Sequence, residues 1–394
     1  MNILVCNAGS TSLKFKLLAM PEEETLAVCK IERICSGGDS VFQYTNPKTG
    51  KAWKQSGMAI ESYSSGIRLF LEYLTDSEYG ALQDAAQIDR VGFKTVLSKG
   101  FSGDFELTEE VLQGMRDWLP IAKVHNGAYL EAIAAMREVL PDTCFVGAFE
   151  TAFHSTIPLQ RRIFGVPYEW YEKYGLQRMG YHGASHSYIA DCLNALHPQG
   201  YKAISCHLGG SCSVCAIENG KSMDTSFGFS LQSGVLHAAR AGDVDCDVFA
   251  FLKAQGVAEE EILKGLQEKG GLLGISGVSS DLRYVQNAMD TNPRAKLAVD
   301  AFVAGVIRYI GAFYAELGGL NELVFTGGIG ENAALIRKMI CEKLPHLGIQ
   351  ISDERNTENA AVLSPAESRV TVRIIPTDEE LCVARRTAAC KCGK

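Results

Sequence analysis

Hydrophobic positions along the chain form short strand-like runs and longer runs with a helical period. Near the N-terminus, residues 3–6 and 13–18 are two strand-like runs, separated by the polar segment NAGSTS. Gly9 and the small hydroxyl residues of this segment favour a tight turn. The pattern therefore predicts a β-hairpin at the beginning of the chain.

A passage in the middle of the chain repeats this plan. KAISC is followed by HLGGSC and SVCAIENG, so that Cys206 corresponds to Cys6 and Gly209 to Gly9. Unrelated hairpins are common and the two passages share few identical residues, but their similar order favours an internal duplication. No low-complexity linker separates the halves, so we infer a boundary near residue 152 from the repeat.

Two longer segments have the apolar period of about 3.6 residues that is typical of helices. One begins with Asn292 and Pro293, a good N-cap followed by proline at the first helical position, and ends at Gly318. The other starts near Asn126 and ends before Pro141. Helices that alternate with strands favour an α/β architecture.

Composition narrows the possible classes of protein. The chain has 394 residues, 46% hydrophobic and 21% charged, which is typical of a globular protein with two domains. A net charge of -8, without a run of Lys or Arg, argues against a nucleic-acid partner. Because a strand-like ILVC follows Met1 closely and no uninterrupted apolar run approaches about 18 residues, we expect a cytoplasmic protein without a membrane partner.

The thirteen cysteines are scattered, and several, including Cys144, lie in apolar strand-like runs. This placement favours reduced, buried thiols. Cys390 and Cys392 form a CxC pair that could hold a metal or oxidise, but a structural zinc site normally needs four ligands.

The segment NAGSTSLK has the groups that a phosphate chain needs. It offers backbone N–H groups, hydroxyls, the Asn7 amide for hydrated magnesium and the Lys14 ammonium. It is not a Walker A loop, because the GxxxxGK[ST] spacing is absent and a strand follows. A plain turn without a ligand is the competing interpretation.

A second glycine-rich segment, NELVFTGGIGENAALIRKMI, strengthens the nucleotide interpretation. Its pattern predicts a strand over residues 323–326, a loop with Gly327, Gly328 and Gly330, and a helix that begins near Asn332. Such a unit lets the backbone approach a nucleotide and points a helix N-terminus at negative charge, although it also occurs as a plain connection.

Two histidines and a carboxylate are further candidates. His182 and His186 in YHGASH are four residues apart, as zinc ligands on one helical face would be, but Gly180 and Gly183 favour a loop and the HExxH glutamate is absent. We therefore interpret His182 as a donor to a phosphoryl group. Glu150 ends the apolar run CFVGAFE, where a catalytic role and a capping role are equally expected.

Taken in chain order, these motifs resemble those of acetate and propionate kinases, the acetokinase branch of the actin and sugar-kinase superfamily. The similar segments are NAGSTSLKFKL (7–17), VHNGAYLEAI (124–133), FETAFHSTIP (149–158), YGLQRMGYHGASHSY (174–188), CHLGGSCSV (206–214), GKSMDTSFGF (220–229), ARAGDVD (239–245), SGVSSDLR (276–283), FTGGIGEN (325–332) and IPTDEEL (375–381). The resemblance implies two actin-like (ribonuclease H-like) α/β domains, 1–152 with 382–394 and 153–381, around a cleft for ATP/ADP and Mg²⁺. It also implies a homodimer that acts on a small carboxylate.

The resemblance further implies roles for individual residues. Asn7 and Glu379 would bind magnesium, while His182 and Arg240 would stabilise the phosphoryl group in flight. Glu150 would position or polarise the acceptor. The acceptor pocket would be formed by Lys94, Val96, Val124 and Leu231. The nucleotide would be held by Ser12, Lys14, His207, Leu208, Gly209, Gly210, Ser211, Asp281, Leu282, Arg283, Gly328, Ile329, Gly330, Glu331 and Asn332, mostly from the second domain.

The sequence departs from the family pattern on the acceptor side. Lys94 replaces the arginine of GHRVVHGG and lacks its planar fork, while Glu150 replaces the aspartate of FDTAFH and is one methylene longer. Gly210 replaces an asparagine of HLGNGSS. In place of TPLEGLxMGTR, SLQSGVLHAAR brings Leu231, Ser233, His237 and Ala238 near the acceptor pocket. Such clustered changes suggest either another acceptor or a loss of turnover.

Three functions therefore stay open from the sequence. The first is a reversible ATP-dependent carboxylate kinase whose acceptor need not be acetate. The second is an ATP-binding regulatory or scaffold protein of the same fold that has lost catalysis. The third is a hydroxyl-directed kinase, for which a carboxylate base such as Glu150 would suit an alcohol acceptor.

Overall fold

The computed structural model describes residues 1–393, apart from the side chain of Val124. The chain forms two compact units. One consists of Met1–Ala152 with the segment from Asp378 onward, and the other of Phe153–Thr377. The sequence analysis set the return to the first unit at residue 382, whereas the structure sets it at Asp378. The earlier return follows from the Asp378 side chain, which accepts from the Leu381 N–H and pairs with Lys16 of the first unit.

The first unit is built on one eight-stranded sheet of order β5-β4-β3-β2-β1-β6-β8-β7. Its strands are β1 (Asn2–Gly9), β2 (Ser12–Ala19), β3 (Glu24–Glu32), β4 (Ser40–Asn46), β5 (Lys51–Met58), β6 (Arg90–Phe93), β7 (Asp104–Glu106) and β8 (Cys144–Ala148). Its helices are α1 (Tyr63–Leu74), α2 (Glu109–Asp117), α3 (Leu119–Val139) and the C-terminal α15 (Glu379–Ala389).

The second unit is built on a five-stranded sheet of order β11-β10-β9-β12-β13. Its strands are β9 (Lys202–His207), β10 (Ser213–Glu218), β11 (Lys221–Thr225), β12 (Glu322–Thr326) and β13 (Thr371–Ile374). Its helices are α4 (Leu159–Arg162), α5 (Tyr168–Tyr174), α6 (Gly183–Leu196), α7 (Asp247–Ala254), α8 (Glu259–Gln267), α9 (Gly271–Ser276), α10 (Leu282–Asn287), α11 (Pro293–Leu317), α12 (Gly327–Asn332), α13 (Ala334–Cys341) and α14 (Asp353–Thr357).

The two sheets share a common five-stranded arrangement. The order β3-β2-β1-β6-β8 in the first unit corresponds to β11-β10-β9-β12-β13 in the second. In both units the first three strands of this set pair antiparallel and the last two are added in parallel. The structure thus confirms the duplication that the sequence repeat predicted, with Gly9 and Gly209 just at or after the end of equivalent strands.

The first hairpin is tighter than the sequence predicted. Strands β1 and β2 pair in a register that matches Asn7 with Lys14 and Gly9 with Ser12, so the turn proper is Ser10 and Thr11 alone. The predicted tight turn is confirmed, but the strand pairing extends further into NAGSTS than the apolar runs indicated. Fewer backbone N–H groups are left for a ligand than a loop of that length would offer.

The long predicted helix is confirmed as α11. Asn292 caps it by accepting from the N–H groups of Arg294 and Ala295, and Gly318 ends it in the left-handed conformation. By length and composition α11 could cross a membrane, but its apolar face, including Phe302, is fully buried in the core of the second unit. Helix α3 begins at Leu119 rather than near Asn126 and has a kink, so the earlier prediction found only its second part.

Two segments predicted as loops are helical. The glycines of FTGGIGEN lie in α12, because the backbone of Gly327 has φ +75° and turns the chain directly from β12 into helical geometry. Similarly, Gly183 and His186 belong to α6, which follows His182 at φ +58°. In both places the left-handed residue supplies the turn that we had attributed to a longer loop.

The cysteine prediction needs one correction. Cys144 at the start of β8 forms a disulfide with Cys392, 248 residues away, whereas eleven cysteines are free. Nothing in the scattered spacing indicated this pair, because the two residues meet only when the C-terminal segment lies against the sheet. Cys390 stays a free, buried thiol.

Candidate active site

The first unit contains a cluster of charged groups around Lys94. This residue directly follows β6, and its ammonium lies 2.5 Å from the carboxylate of Glu379, the first residue of α15. Both side chains are largely buried, at 17% and 16% exposure. Burial lowers the pKa of Lys94, but the carboxylates of Glu150 and Glu379 raise it by more, so the net pKa lies above its ordinary value and the ammonium is charged.

Glu150 lies beside this ion pair at the carboxyl end of β8. Its side chain is only 5% exposed, and its backbone N–H donates to the carbonyl of Thr95 at 2.9 Å, which ties the ends of β8 and β6 together. After burial, the Glu150 carboxylate has the largest effect on the pKa of Lys94, which it raises. The two departures from the family pattern in this unit, Lys94 and Glu150, thus interact electrostatically with each other.

Tyr129 on α3 is a member of the cluster that sequence reasoning missed. Its hydroxyl donates to the Asn7 amide oxygen at 3.0 Å, and its ring is 3% exposed. Burial raises the pKa of Tyr129, and the Lys94 charge opposes this rise. Tyr129 falls within the helix predicted from near Asn126, and the apolar period of that segment did not point to the polar end of its side chain.

The predicted magnesium ligands, Asn7 and Glu379, belong to the same cluster. Asn7 accepts a hydrogen bond from Tyr129, Tyr129 interacts electrostatically with Lys94, and Lys94 pairs with Glu379. An amide oxygen and one carboxylate are hard oxygen donors, which fits the usual magnesium site of few protein ligands completed by phosphate and water. The residues present therefore fit a magnesium ion.

The remaining predicted residues of the first unit differ in exposure. Lys14 is exposed on β2, opposite Asn7, and Ser12 lies beside it near the hairpin turn. Val96 is buried just after Lys94. Val124 lies in α3, but its side chain is outside the described part of the structure.

The second unit has a cavity of about 560 Å³ at the carboxyl ends of β9 and β12. This volume suits a small-molecule ligand. Eight predicted nucleotide residues line the cavity: Gly209, Gly210, Asp281, Leu282, Arg283, Gly328, Ile329 and Asn332. Sequence reasoning did not single out Ser280, Gln286 and Ala333, which also line it. Ser280 lies inside the quoted motif SGVSSDLR, Ala333 directly follows FTGGIGEN, and Gln286 lies about one turn further along α10.

Other predicted nucleotide residues support the cavity rather than line it. The buried Leu208 accepts from the N–H groups of Ile329 and Gly330 through its carbonyl, at 2.8 and 3.1 Å. The Glu331 carboxylate accepts from the Gly327 N–H at 2.9 Å. Arg337, fully buried, donates to the Gly330 carbonyl at 2.8 Å. These contacts hold α12 against the end of β9.

Ser211 provides an independent indication of a ligand. Its hydroxyl oxygen is shielded from water and has no hydrogen-bond partner among the described residues. Such a buried polar atom is costly unless a ligand satisfies it. At Gly210, a Cβ atom would meet nothing within 4 Å, so the backbone there is open to a phosphate group.

His237 does not act as the sequence analysis expected. We had placed it near the acceptor, but its ring is fully buried and its Nδ1 accepts from the Cys212 N–H at 2.9 Å, while the Ala238 N–H donates to the Gly210 carbonyl at 3.0 Å. The departures at Gly210, His237 and Ala238 are therefore coupled through the geometry of the turn at the end of β9.

A histidine–serine network surrounds His182. Its Nδ1 lies 2.8 Å from the Ser213 hydroxyl, which is also 2.8 Å from Nε2 of the buried His186. The other ring nitrogen of His186 is 3.0 Å from Ser205. Because both nitrogens of His186 interact with serine hydroxyls, the zinc interpretation has no support, and the rings of His182 and His207 instead lie 4.2 Å apart, centroid to centroid.

Arg240 and Leu231 are neighbours in the second unit. The Arg240 guanidinium donates to the Leu231 carbonyl at 2.6 Å and is half-buried. Burial lowers the pKa of Arg240, but arginine stays protonated at any physiological pH. This hydrogen bond holds one edge of the Arg240 guanidinium, which carries a permanent positive charge.

Buried histidines should make the second unit sensitive to acid. Burial lowers the pKa of His154 from 6.5 to about 4 and that of His237 to about 3. Because these folded-state pKa values lie below the unfolded value, the unfolded chain binds protons first, and stability falls as the pH drops below about 6.5. His154 alone is expected to cost about 2 kcal/mol at pH 5.

Hydrogen exchange of the β9 and β10 amides between pH 7.5 and pH 5, corrected for intrinsic exchange rates, measures this effect. His154→Gln is expected to lower stability at pH 7.5 but to flatten its pH dependence. Equal pH dependence in both proteins would contradict the account.

Comparison with known proteins agrees with this geometry. The sequence model of the Acetokinase family matches residues 2–385. The chain is 39% identical to the acetate kinase of Brachyspira hyodysenteriae, covering 98% of this chain and 99% of that protein. It is also similar to the crystal structures of an acetate kinase from Porphyromonas gingivalis (36% identity, TM-score 0.87, 98% of each chain) and a propionate kinase from Francisella tularensis (30% identity, TM-score 0.91, 99% and 100% of the chains).

These relatives confirm the predicted fold class and family resemblance. Acetate kinases have the duplicated actin-like ATPase fold, and the two equivalent sheets described above have its strand order. The match extends across both units. The chain therefore belongs to the acetokinase family.

Proposed function

We propose that this protein is an ATP-dependent carboxylate kinase, which transfers a phosphoryl group reversibly between ATP and a short-chain carboxylate to give an acyl phosphate and ADP. The observation that carries the proposal is the pair of partly built sites. The second unit has a cavity lined by Gly209 and Gly210, followed in sequence by the unsatisfied Ser211 hydroxyl, and the first unit has the buried Lys94 cluster. The names of the relatives, acetate kinase and propionate kinase, agree with this activity.

The second unit would bind the nucleotide. The backbone of Gly209, Gly210 and Gly328 would approach the phosphates without side-chain interference, and Ser211 would donate to a phosphate oxygen. The Asp281–Arg283 pair, 2.6 Å between Nη2 and Oδ2, would border the nucleoside end of the cavity. His207 and Leu208 would act indirectly, because they position the turn at the end of β9 that carries Gly209 and Gly210.

The phosphoryl group in transfer would be stabilised by positive charge and hydrogen-bond donors. Transfer passes through a state with charge spread over the equatorial oxygens, so catalysis depends on positioned cations more than on a base. Arg240 would supply a permanent charge, and His182, oriented through Ser213, would donate a hydrogen bond. Lys94 would bind the acceptor carboxylate and Glu150 would orient it.

Magnesium would be held by Asn7 and Glu379, with Lys14 near the nucleotide phosphates. When bound, the ion would neutralise charge on the phosphates. Tyr129, through its hydrogen bond, would keep the Asn7 amide in one orientation. We further propose a homodimer in the cytoplasm, where ATP is available.

The alternatives from the sequence analysis find no support among the relatives. An ATP-binding protein without catalysis was suggested by the changes at Lys94 and Glu150, but the structure keeps both charges in a compact, buried cluster. A hydroxyl-directed kinase would not need a buried ammonium for its neutral acceptor.

A hydroxylamine trap tests the proposal. The purified protein is incubated with ATP, Mg²⁺, hydroxylamine and, in turn, acetate, propionate and butyrate, and the hydroxamate is measured. At least one acid is expected to give hydroxamate in step with ADP release. No hydroxamate from any acid, with ATP binding intact, would contradict the proposal. In a parallel assay with sugars in place of the acids, ADP release would favour the hydroxyl-directed function.

A further inference from the structure

The ion pair between Lys94 and Glu379 joins two groups that the proposed function requires for different ligands. Lys94 is needed for the acceptor carboxylate and Glu379 for the metal ion, yet their charged atoms lie 2.5 Å apart. The two residues are 285 positions apart in sequence, and each comes from the end of a different element, β6 and α15. Their contact is therefore a feature of the folded first unit.

The neighbouring residues make this contact strong. The two side chains are 17% and 16% exposed, so solvent screens their attraction less than it screens a surface pair. Glu150 adds a second carboxylate near the ammonium, whereas Tyr129 contributes only a neutral hydroxyl. Lys94 interacts with both carboxylates, and Arg386 also interacts electrostatically with Glu150.

We propose that Lys94 and Glu379 form a latch that couples the binding of the metal ion to the binding of the acceptor. In the closed latch, the ammonium neutralises Glu379. A divalent cation at Glu379 displaces the ammonium, which is then available to a carboxylate, and a carboxylate that captures the ammonium exposes Glu379 to the cation. Each ligand therefore increases the affinity for the other.

The inference rests on the proposed carboxylate-kinase function and adds a property to it. Lysine suits such a latch because its flexible four-carbon chain carries a point charge that can move between two carboxylates, whereas the planar fork of arginine favours one fixed geometry. Lys94 stands where the family has an arginine and lacks the planar fork of that residue. In the latch, this lysine has a function that an arginine would not provide. Coupling between linked sites is typically about 5-fold to 150-fold and is equal in both directions.

Binding measurements on the full chain test the latch without turnover. Propionate binding is measured by NMR titration in the absence of metal, and Mn²⁺ binding by electron paramagnetic resonance in the absence and presence of propionate. Mn²⁺ is a suitable probe because it shares the oxygen-ligand preference of Mg²⁺. In the unmodified protein, saturating propionate is expected to lower the Mn²⁺ dissociation constant at least about 5-fold.

Two variants separate the latch from simple loss of ligands. Glu379→Gln is expected to bind propionate about tenfold more tightly than the unmodified protein without metal, because Lys94 is released. Lys94→Met is expected to bind Mn²⁺ about tenfold more tightly without propionate, because Glu379 is released. If the two residues acted independently of each other, Glu379→Gln would leave propionate binding unchanged or weaken it, and Lys94→Met would do the same to Mn²⁺ binding.

The chain offers matched controls in a neighbouring ion pair. Lys16 and Asp378 lie 2.7 Å apart at the same end of α15, and Asp378 precedes Glu379. Asp378→Asn keeps a good N-cap residue and removes one negative charge, while Lys16→Met removes one positive charge. Each control is expected to change the respective dissociation constant less than about twofold, which separates direct release from a general field effect.

The outcomes of these measurements distinguish failure of the latch from failure of the proposed carboxylate-kinase function. Propionate binding that Glu379→Gln strengthens no more than Asp378→Asn does, or Mn²⁺ binding that propionate leaves unchanged, would overturn the latch alone. Failure of acetate, propionate and butyrate to bind any of these proteins, with or without Mn²⁺, would overturn the latch and the carboxylate function together.

Discussion

Arg240→Ala is expected to lower kcat about 10³-fold while the thermal midpoint of unfolding changes little. The guanidinium is held by its hydrogen bond to the Leu231 carbonyl, so its charge is in place before the reaction begins. Removing it withdraws permanent positive charge from a transferring phosphoryl group. Steady-state hydroxamate formation measures the loss.

Two further variants define the role of Arg240. Arg240→Lys keeps a charge without the planar fork and is expected to recover only part of kcat. Arg308→Ala removes an exposed arginine from α11 and is expected to leave kcat unchanged. An Arg240→Ala protein with normal kcat and only a raised KM for ATP would show that Arg240 binds nucleotide and does not act in transfer.

Glu150→Gln is expected to lower kcat/KM for the acceptor at least about 100-fold. The amide has nearly the same shape, so the packing around this 5% exposed side chain is kept, but the charge opposite Lys94 is lost. Lys94 then pairs with Glu379 alone, and the acceptor loses its orienting carboxylate. Kinetics with acetate, propionate and butyrate measure the effect on each acid.

The conservative variant and a charge control complete this test. Glu150→Asp retains the charge and is expected to keep most of the turnover, with preference shifted toward acetate because the carboxylate withdraws by one methylene. Glu110→Gln, on the exposed face of α2, is expected to have no effect. Equal activity of Glu150→Gln and the unmodified protein would show that the Glu150 carboxylate has no role in the site.

Local patterns predicted the elements that carry the site. Short strand-like apolar runs identified β1 and β2, the apolar period and cap residues identified α11, and the repeated hairpin indicated the duplicated sheet. These features depend on neighbours in sequence, on side-chain period and on the strong preferences of Asn, Pro and Gly at helix ends. The motif order then identified the family and most residues that line the cavity.

Contacts between distant segments could not be predicted in the same way. Tyr129 meets Asn7 across 122 positions, and Lys94 meets Glu379 across 285. Neither pair has a local pattern, because each depends on how helices pack on the sheet. His237 is a related case: its position in the motif placed it near the acceptor pocket, and no local pattern indicated that its Nδ1 accepts from the Cys212 N–H.

The helical glycines of FTGGIGEN show a limit of composition-based reasoning. Glycine is typical of loops, and three in four positions predicted one. In the structure, Gly327 uses its positive φ for the turn, and a Cβ there would lie 2.8 Å from the Leu208 carbonyl. A Cβ at Gly328 would meet nothing within 4 Å and one at Gly330 would only make contacts from 3.4 Å, so packing within the protein requires glycine at Gly327 alone of these three.

Synthesis of ATP tests the central claim most directly. The protein is mixed with ADP, Mg²⁺ and acetyl phosphate or propionyl phosphate, and ATP is measured by luminescence. The account predicts that ATP forms in equal amount to the acyl phosphate consumed. Binding of ADP without formation of ATP from either acyl phosphate would contradict it.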